Sequence, residues 1–322
     1  MKKIAFISQP EYFRFIYEHD LDDIFEVREF PFHFNMSPNE FNDLIKFDAD
    51  YNIFFRGEFF PDEVLNKLKG LKIALSSEPF PRKINGKWEQ THDSVKRYEQ
   101  FKIIKNKKFD YVFHYDASSL PLFEMDGLKI SGEFVFPVAR KTYKASKNKG
   151  EKWDFFFVGR STNHREDLFG HLKHHYNFLH IAHGIWGPDL VEYMNQSKIC
   201  LNVHAENEIS WEPRMQMMLA AGAFVMSEKI TPNKYLRPGI DYVEFSDKVD
   251  FIKKVEFYLK NEDKRMEIVE NAQMRIAEYF NSAKNFPNFF NKIEAGEYPK
   301  FISKNVTSTA KEYLKKLYKQ IV

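Results

Sequence analysis

The chain has one cysteine in 322 residues, Cys200. A single thiol cannot close an internal disulfide, so a fold resting on its buried core, in a reducing and cytoplasmic compartment, is expected. Within Ile199-Cys200-Leu201 the thiol reads as a small buried hydrophobe rather than a nucleophile. An excess of one charge is lacking too. The 48 Lys and Arg face 46 Asp and Glu, for a formal net charge of +2. That balance argues against a dedicated nucleic-acid binder, which would carry a strong basic excess, and no nucleic-acid partner is expected. No stretch of eighteen apolar residues occurs, so no transmembrane segment is expected. The apolar run Ile4–Ile7 is too short for the core of a signal peptide and reads as a first strand.

What is present is enough apolar matter, 43% of residues, to bury cores in two ordinary domains. Short β-rich runs alternate with helical patterns twice over. The first series has strand candidates at Lys3–Ser8, Phe25–Phe30, Tyr51–Arg56, Leu71–Ser76 and Tyr111–Tyr115. Helical stretches Pro38–Lys46 and Pro61–Lys69 each open on a proline, which suits a first helical turn. Arg82–Thr91, with its charges and Gly86, reads as a surface loop, and Ser94–Ile104 as a helix. The second series places strands at Trp153–Val158, Phe178–Ala182, Ile199–Val203, Ala223–Ser227 and Tyr242–Phe245. Helices Arg165–Lys173, Pro188–Gln196, Arg214–Ala221 and Val249–Leu259 lie between them. Such alternation predicts α/β architecture: two tandem Rossmann-like, doubly wound domains with a cleft between them. Ala139–Lys152, rich in Lys, Ser and Asn, is the linker candidate. The expected division is 1–140, 141–300 and a last segment, 301–322. Within that segment Ala310, Tyr313, Leu314, Leu317, Tyr318 and Ile321 form an amphipathic helical stripe. It is expected to dock on the first domain, with peripheral membrane contact as the alternative.

Doubly wound sheets bind ligands beyond the carboxyl ends of their strands, so the turns there carry the chemistry. The first turn of the second series is Gly159-Arg160-Ser161-Thr162-Asn163, with Arg165 just inside the following helix. A glycine lets the backbone approach a ligand, a helix start attracts phosphate, and Arg160 and Arg165 supply charge for a diphosphate. The next turn, His183-Gly184-Ile185-Trp186-Gly187, offers Gly184. After Ser197-Lys198-Ile199-Cys200-Leu201, the polar residues Asn202, His204 and Glu206 alternate with Leu201, Val203 and Ala205. Glu212-Pro213-Arg214 then opens a helix, where Arg214 is placed to clamp a phosphate and Gln216 to meet ribose hydroxyls.

In order, these turns resemble the CgeB-like (spore-maturation type) group of GT-B glycosyltransferases. The likeness rests on Phe157-Val158-Gly159-Arg160, Gly184-Ile185-Trp186-Gly187, the Ser197–His204 segment, the Arg214 helix start, and Ala221-Gly222-Ala223-Phe224 with Glu228 after its strand. It covers Trp153 to Asp247 well and the first domain only in general pattern. The resemblance implies transfer of a sugar from a UDP- or GDP-linked donor to a carbohydrate or lipid-linked glycan acceptor. It implies donor binding by Gly159, Arg160, Asn202, His204 and Arg214, with no metal and no cofactor beyond the nucleotide-sugar. Many members of the larger class place a glutamate on the donor ribose, and here Gln216 stands at or near that position.

An inverting transfer also needs a base from the first domain, and the strand-end candidates are Glu58, Glu78, His114 and Asp116, with Glu78 and Asp116 foremost. His171 and His175 sit four apart on a helix, but no further ligand accompanies them, and they read as a polar face. Two other functions share this architecture: a sugar-nucleotide epimerase, and a non-catalytic nucleotide-sugar-binding protein in which Gln216 marks a decayed site.

Overall fold

The computed structural model describes residues 1–146 and 150–303. The chain divides into two compact units, each described here by itself. Unit 1 is Met1–Arg14, Leu21–Val135 and the residues from Phe286 onward; unit 2 is Phe15–Asp20 and Phe136–Asn285. Residues 304–322, which include most of the expected docking helix, lie outside the described residues.

Unit 1 is built on six parallel strands: β1 (Lys3–Ser8), β2 (Glu26–Pro31), β3 (Tyr51–Phe55), β4 (Leu71–Ser76), β5 (Tyr111–His114) and β6 (Gly132–Glu133). They lie in the order β2-β1-β3-β4-β5-β6. The register runs Ile4 with Tyr51, Tyr51 with Leu71 and Ile73 with Tyr111, so the carboxyl ends share one edge. Ile4–Ile7 and Ile53–Phe55 are almost wholly buried, as strands covered on both faces must be. Helix α1 (His92–Phe101) starts on a capping box, the Thr91 side chain accepting the Ser94 N–H.

One expectation fails in this unit. Arg82–Thr91 is not an irregular loop but a surface hairpin, in which Arg82–Ile84 pairs antiparallel with Lys87–Glu89. Arg82 is 1% exposed and its Nε donates to the Phe80 carbonyl at 3.1 Å. A charged residue that reads as surface in the sequence is thus buried, with the Phe80 carbonyl receiving one of its donors.

Unit 2 carries five parallel strands, β7 (Trp153–Val158), β8 (Phe178–Ile181), β9 (Ser197–Asn202), β10 (Val225–Glu228) and β11 (Val243–Phe245), in the order β8-β7-β9-β10-β11. Helices α2 (Asn163–His175), α3 (Gly187–Asn195), α4 (Arg214–Ala220), α5 (Lys248–Lys260) and α6 (Glu262–Tyr279) belong to this unit. Both sheets are thus parallel and Rossmann-like, as the alternation predicts. Cys200 is buried in β9.

The expected linker is packed structure up to residue 146. Arg140 and Lys141 donate their backbone N–H groups to Asp20, and the Arg140 guanidinium reaches the Ala220 carbonyl and Gln273. Ala145 lies against Gly222, whose φ is +77°. A Cβ at Gly222 would fall 2.4 Å from that of Ala145, so both backbone conformation and contact demand glycine. Gly222→Val is expected to cost more than about 2 kcal/mol, read as a lower urea midpoint at unchanged m. An unchanged midpoint would show that Ala145 yields freely.

Candidate functional site

Because every strand of unit 2 is parallel, Val158, Ile181, Asn202 and Glu228 all end at one edge, where the turns to the helices begin. Gly159 follows β7 with φ +148°, and a Cβ there would sit 3.1 Å from the Phe157 ring. Its N–H donates to the Ile181 carbonyl at 2.9 Å, and its own carbonyl receives His180 Nε2 at 2.7 Å. The turn is therefore fixed to β8. Arg160 is exposed beside it, and Thr162 caps α2 by accepting the Arg165 N–H.

Two arginines converge behind this turn. Arg165, buried in the first turn of α2, donates through Nε and Nη2 to the Val203 carbonyl at 3.1 and 2.9 Å, and through Nη1 to the Arg160 carbonyl at 2.8 Å. Arg214, at the start of α4, grips Asn202 Oδ1 with Nε at 3.2 Å and Nη2 at 3.0 Å, and also reaches the Val158 and Val203 carbonyls. Both guanidiniums lie over the Phe157 ring, at 4.9 and 5.3 Å from its centroid. Burial, and next the neighbouring Arg214, pull the Arg165 pKa down to about 10. It stays charged at neutral pH. The bidentate grip expected of Arg214 on a phosphate is directed in this structure at Asn202. The two arginines thus offer fixed positive charge more than free prongs, and Arg160 is the arginine that faces solvent.

Asn202 and His204 are fully buried. Asn202 Nδ2 donates to Ser227 Oγ at 2.8 Å, which joins β9 to β10. The His204 N–H donates to Glu228 Oε2 at 2.6 Å, and Glu228 Oε1 meets His164 Nε2 at 2.7 Å. Glu228 therefore ties the end of β10 to the exit of β9 and to the first turn of α2. Glu212 completes the group, 3.2 Å from Arg214 Nη2 and 3.7 Å from His204 Nδ1. Burial raises its pKa, but Arg214 and His204 outweigh burial and hold it at about 2.

The structure brings Gly159, Arg165, Asn202, His204 and Arg214 into one cluster, with Arg160 on its rim. Gly184 stands in a separate, exposed turn after β8. Gln216 is the clear departure. It is 1% exposed, Oε1 accepts the Trp211 indole N–H at 3.1 Å, and Nε2 donates to the Phe136 carbonyl at 3.2 Å. Both ends of its amide are engaged within the fold. The sequence pattern singles out neither His164 nor Glu212 as a site residue. His164 stands 64 residues from its partner Glu228, a separation that leaves no local pattern.

In unit 1, Asp116 caps the turn Ala117–Ser119, accepting the Ser118 N–H at 2.9 Å and its hydroxyl at 2.5 Å. Glu78 lies between two guanidiniums, Arg56 at 2.8 Å and Arg97. Glu58 is buried against Arg56 at 2.8 Å, and burial raises its pKa. His114 is buried with Nδ1 on Ser76 Oγ at 3.1 Å and its ring stacked on Phe80. Among the described residues, no group of three or more His, Cys, Asp or Glu is placed to hold a metal ion, and no helix is long and apolar enough to cross a membrane. His171, His174 and His175 are exposed on α2.

Residues 143–291, which contain the whole cluster, match the family model described as glycosyl transferase-like. No curated protein matches the sequence. Solved structures resemble the chain over nearly all its length. HepE from Anabaena in complex with UDP-glucose is 9% identical, with a TM-score of 0.60, over 92% of this chain and all of that one. Sucrose-phosphate synthase from Thermosynechococcus elongatus gives the same four figures. An alpha-glucosyltransferase in complex with UDP-glucose and DNA containing an abasic site is 12% identical at a TM-score of 0.60, over 91% of this chain and 99% of that one. The chain has the fold of these structures: the expected GT-B class of Rossmann-like α/β units is borne out.

Proposed function

We propose that this chain transfers a sugar from a nucleotide-sugar to a hydroxyl acceptor, holding the donor at the carboxyl edge of the unit 2 sheet. One observation carries the reading: Arg165 and Arg214 lie together over Phe157, behind the glycine turn at 159, within the family-matched segment. Departure of a nucleoside diphosphate builds negative charge, and preorganised cations that need not move stabilise it best. The two arginines are preorganised by carbonyls and by Asn202, while α2 points its positive end at the same turn. Arg160 reaches the phosphates from the rim. Glu212, with 28% of its side chain exposed, offers a carboxylate to a donor hydroxyl where the Gln216 amide is buried.

On this reading the chemistry needs no metal, since arginines and the helix dipole take its part, and no cofactor beyond a UDP- or GDP-linked sugar. The acceptor is a glycan or lipid-linked glycan bound by unit 1. If the course inverts, Glu78 is the more accessible base candidate, with 13% of its side chain exposed. The order of turns from Phe157 to Glu228 supports the CgeB-like group, and the lone buried thiol supports a cytoplasmic setting.

A panel of nucleotide-sugars tests the reading by thermal shift and by slow hydrolysis. Donor-dependent stabilisation with release of UDP or GDP is expected. An unchanged melting temperature with every donor, and no hydrolysis, would sink it, and conversion of the sugar without an acceptor would point to an epimerase. Arg214→Ala is expected to weaken donor affinity about tenfold or more by titration calorimetry, because a charge-assisted contact contributes about 1.5–3 kcal/mol. Normal affinity in a folded Arg214→Ala variant would remove the phosphate role.

A further inference from the structure

The imidazole of His204 is wholly buried, and its two nitrogens are placed unequally. Nε2 lies 3.0 Å from the Lys229 carbonyl, an atom that only accepts, so Nε2 carries a proton. Among the described residues Nδ1 has no hydrogen-bond partner, and it faces Glu212 Oε1 at 3.7 Å. In a neutral ring the Nδ1 lone pair would therefore be buried, unsatisfied and directed at a carboxylate. A proton on Nδ1 removes both faults at once, giving an N–H directed at Glu212.

We propose that Glu212 is a positioning residue that holds His204 as a doubly protonated imidazolium, adding a third fixed cation to Arg165 and Arg214 at this edge of unit 2. Every charged group facing the ring enters the balance. Glu212 approaches from the loop before α4, and Glu228 from the end of β10, where it accepts the His204 N–H at 2.6 Å. Against them stand Arg214 on α4 and Arg165 on α2, cations that share the Glu212 carboxylate. Lys229 contributes its carbonyl. Burial disfavours the charged ring, yet the Glu212 and Glu228 carboxylates and that carbonyl outweigh it, and the His204 pKa is raised. Glu212 in turn is held ionised between His204 and Arg214, so the imidazolium and the carboxylate fix each other's place.

The functional side of this inference rests on the donor site proposed above. There, loss of the His204 proton would remove one positive charge from the cluster and release Glu212 toward Arg214 alone. Donor turnover is then expected to fall on the alkaline side as His204 deprotonates.

Ring-nitrogen NMR on the full chain without donor tests the proposal, with the His204 signals assigned by their loss in His204→Gln. The expected result is two protonated nitrogens at pH 7. Glu212→Gln should lower the titration midpoint by about one pH unit or more, the usual effect of a neighbouring carboxylate, and Glu212→Asp should restore part of it. A neutral ring at pH 6.5, or a midpoint that ignores Glu212→Gln, would overturn the proposal. If the Glu212 variants do not fold, the wild-type titration alone decides. Since no donor enters the NMR arm, an imidazolium without nucleotide-sugar binding would defeat the transferase reading and leave this one standing. With donor, the alkaline limb of hydrolysis should move with the NMR midpoint; a limb that stays put in Glu212→Gln would refute the link to turnover.

Discussion

Acidification from pH 6.5 to 3 is expected to remove up to roughly 5 kcal/mol of stability through His114 alone. Burial first, and the Arg82 guanidinium next, hold the folded-state pKa of this imidazole down at about 3, against an ordinary 6.5. The difference, 3.5 units, corresponds to about 5 kcal/mol at about 1.4 kcal/mol per unit. The sign follows from proton counting. Between pH 6.5 and 3 the unfolded chain binds a proton that the folded ring refuses, so protons favour unfolding. The contribution is fully present above pH 6.5 and disappears as the pH falls toward 3. The ring cannot escape by turning, because Nδ1 is held by Ser76 Oγ and one face is stacked 4.9 Å from Phe80. Urea midpoints across this range should fall steeply in the natural chain and much less in His114→Leu. Equal slopes in the two proteins, or a His114 signal titrating near 6.5 in the folded state, would contradict the assignment.

The second large effect concerns Gln216, and its direction opposes the one its place in the sequence suggests. By position in the helix Gln216 stands in for a ribose-binding glutamate, so Gln216→Glu should strengthen donor binding. The surroundings predict the reverse. Oε1 accepts from the Trp211 indole and Nε2 donates to the Phe136 carbonyl. A glutamate would keep the first bond and turn a second acceptor onto the carbonyl, burying a carboxylate with a repelled oxygen. The expected cost is about 3 kcal/mol or more, seen as a drop in melting temperature at neutral pH that shrinks in mild acid as the carboxyl is protonated. Donor affinity in the folded fraction should not improve. A stable Gln216→Glu variant with tighter donor binding would restore the ribose role.

These two residues mark where sequence legibility ends. The strands were readable because β1, β3, β7 and β9 are runs of Ile, Phe, Val and Leu that only a sheet covered on both faces can bury. The glycine turn at 159 and the Asn202–His204–Arg214 group were readable because they follow strand ends in a parallel architecture. Gln216 was not, since the face of α4 it occupies is decided by packing against Trp211 and Phe136. Glu228 showed only as an acid after a strand, and its bonds to His164 and His204 come from three different elements. Helix α6 gave little signal: its buried positions are Arg265, Ile268, Val269, Ala272 and Ile276, and Arg265 reads as polar surface. A further helix, α7 (Ser282–Glu294), holds Pro287 inside it, a residue that in sequence argues for a break.

That last helix bears on how the protein is made. Phe286, Phe289 and Phe290 complete the core of unit 1. Phe286 meets Phe6 with ring centroids 5.4 Å apart, Phe289 meets Phe134 at 4.2 Å, and Phe290 stacks on Tyr51 at 4.0 Å. Ile302–Ser303 then pairs with Leu128–Lys129 of the same unit. All of these arrive after the whole of Phe136–Asn285 has been synthesised. A ribosome releasing unit 1 at Val135 therefore delivers a sheet whose aromatic face is still bare, and it stays bare while the unit 2 sheet can already form. The part of the chain made first is the last to be finished, and its exposed rings are the period of greatest aggregation risk during synthesis.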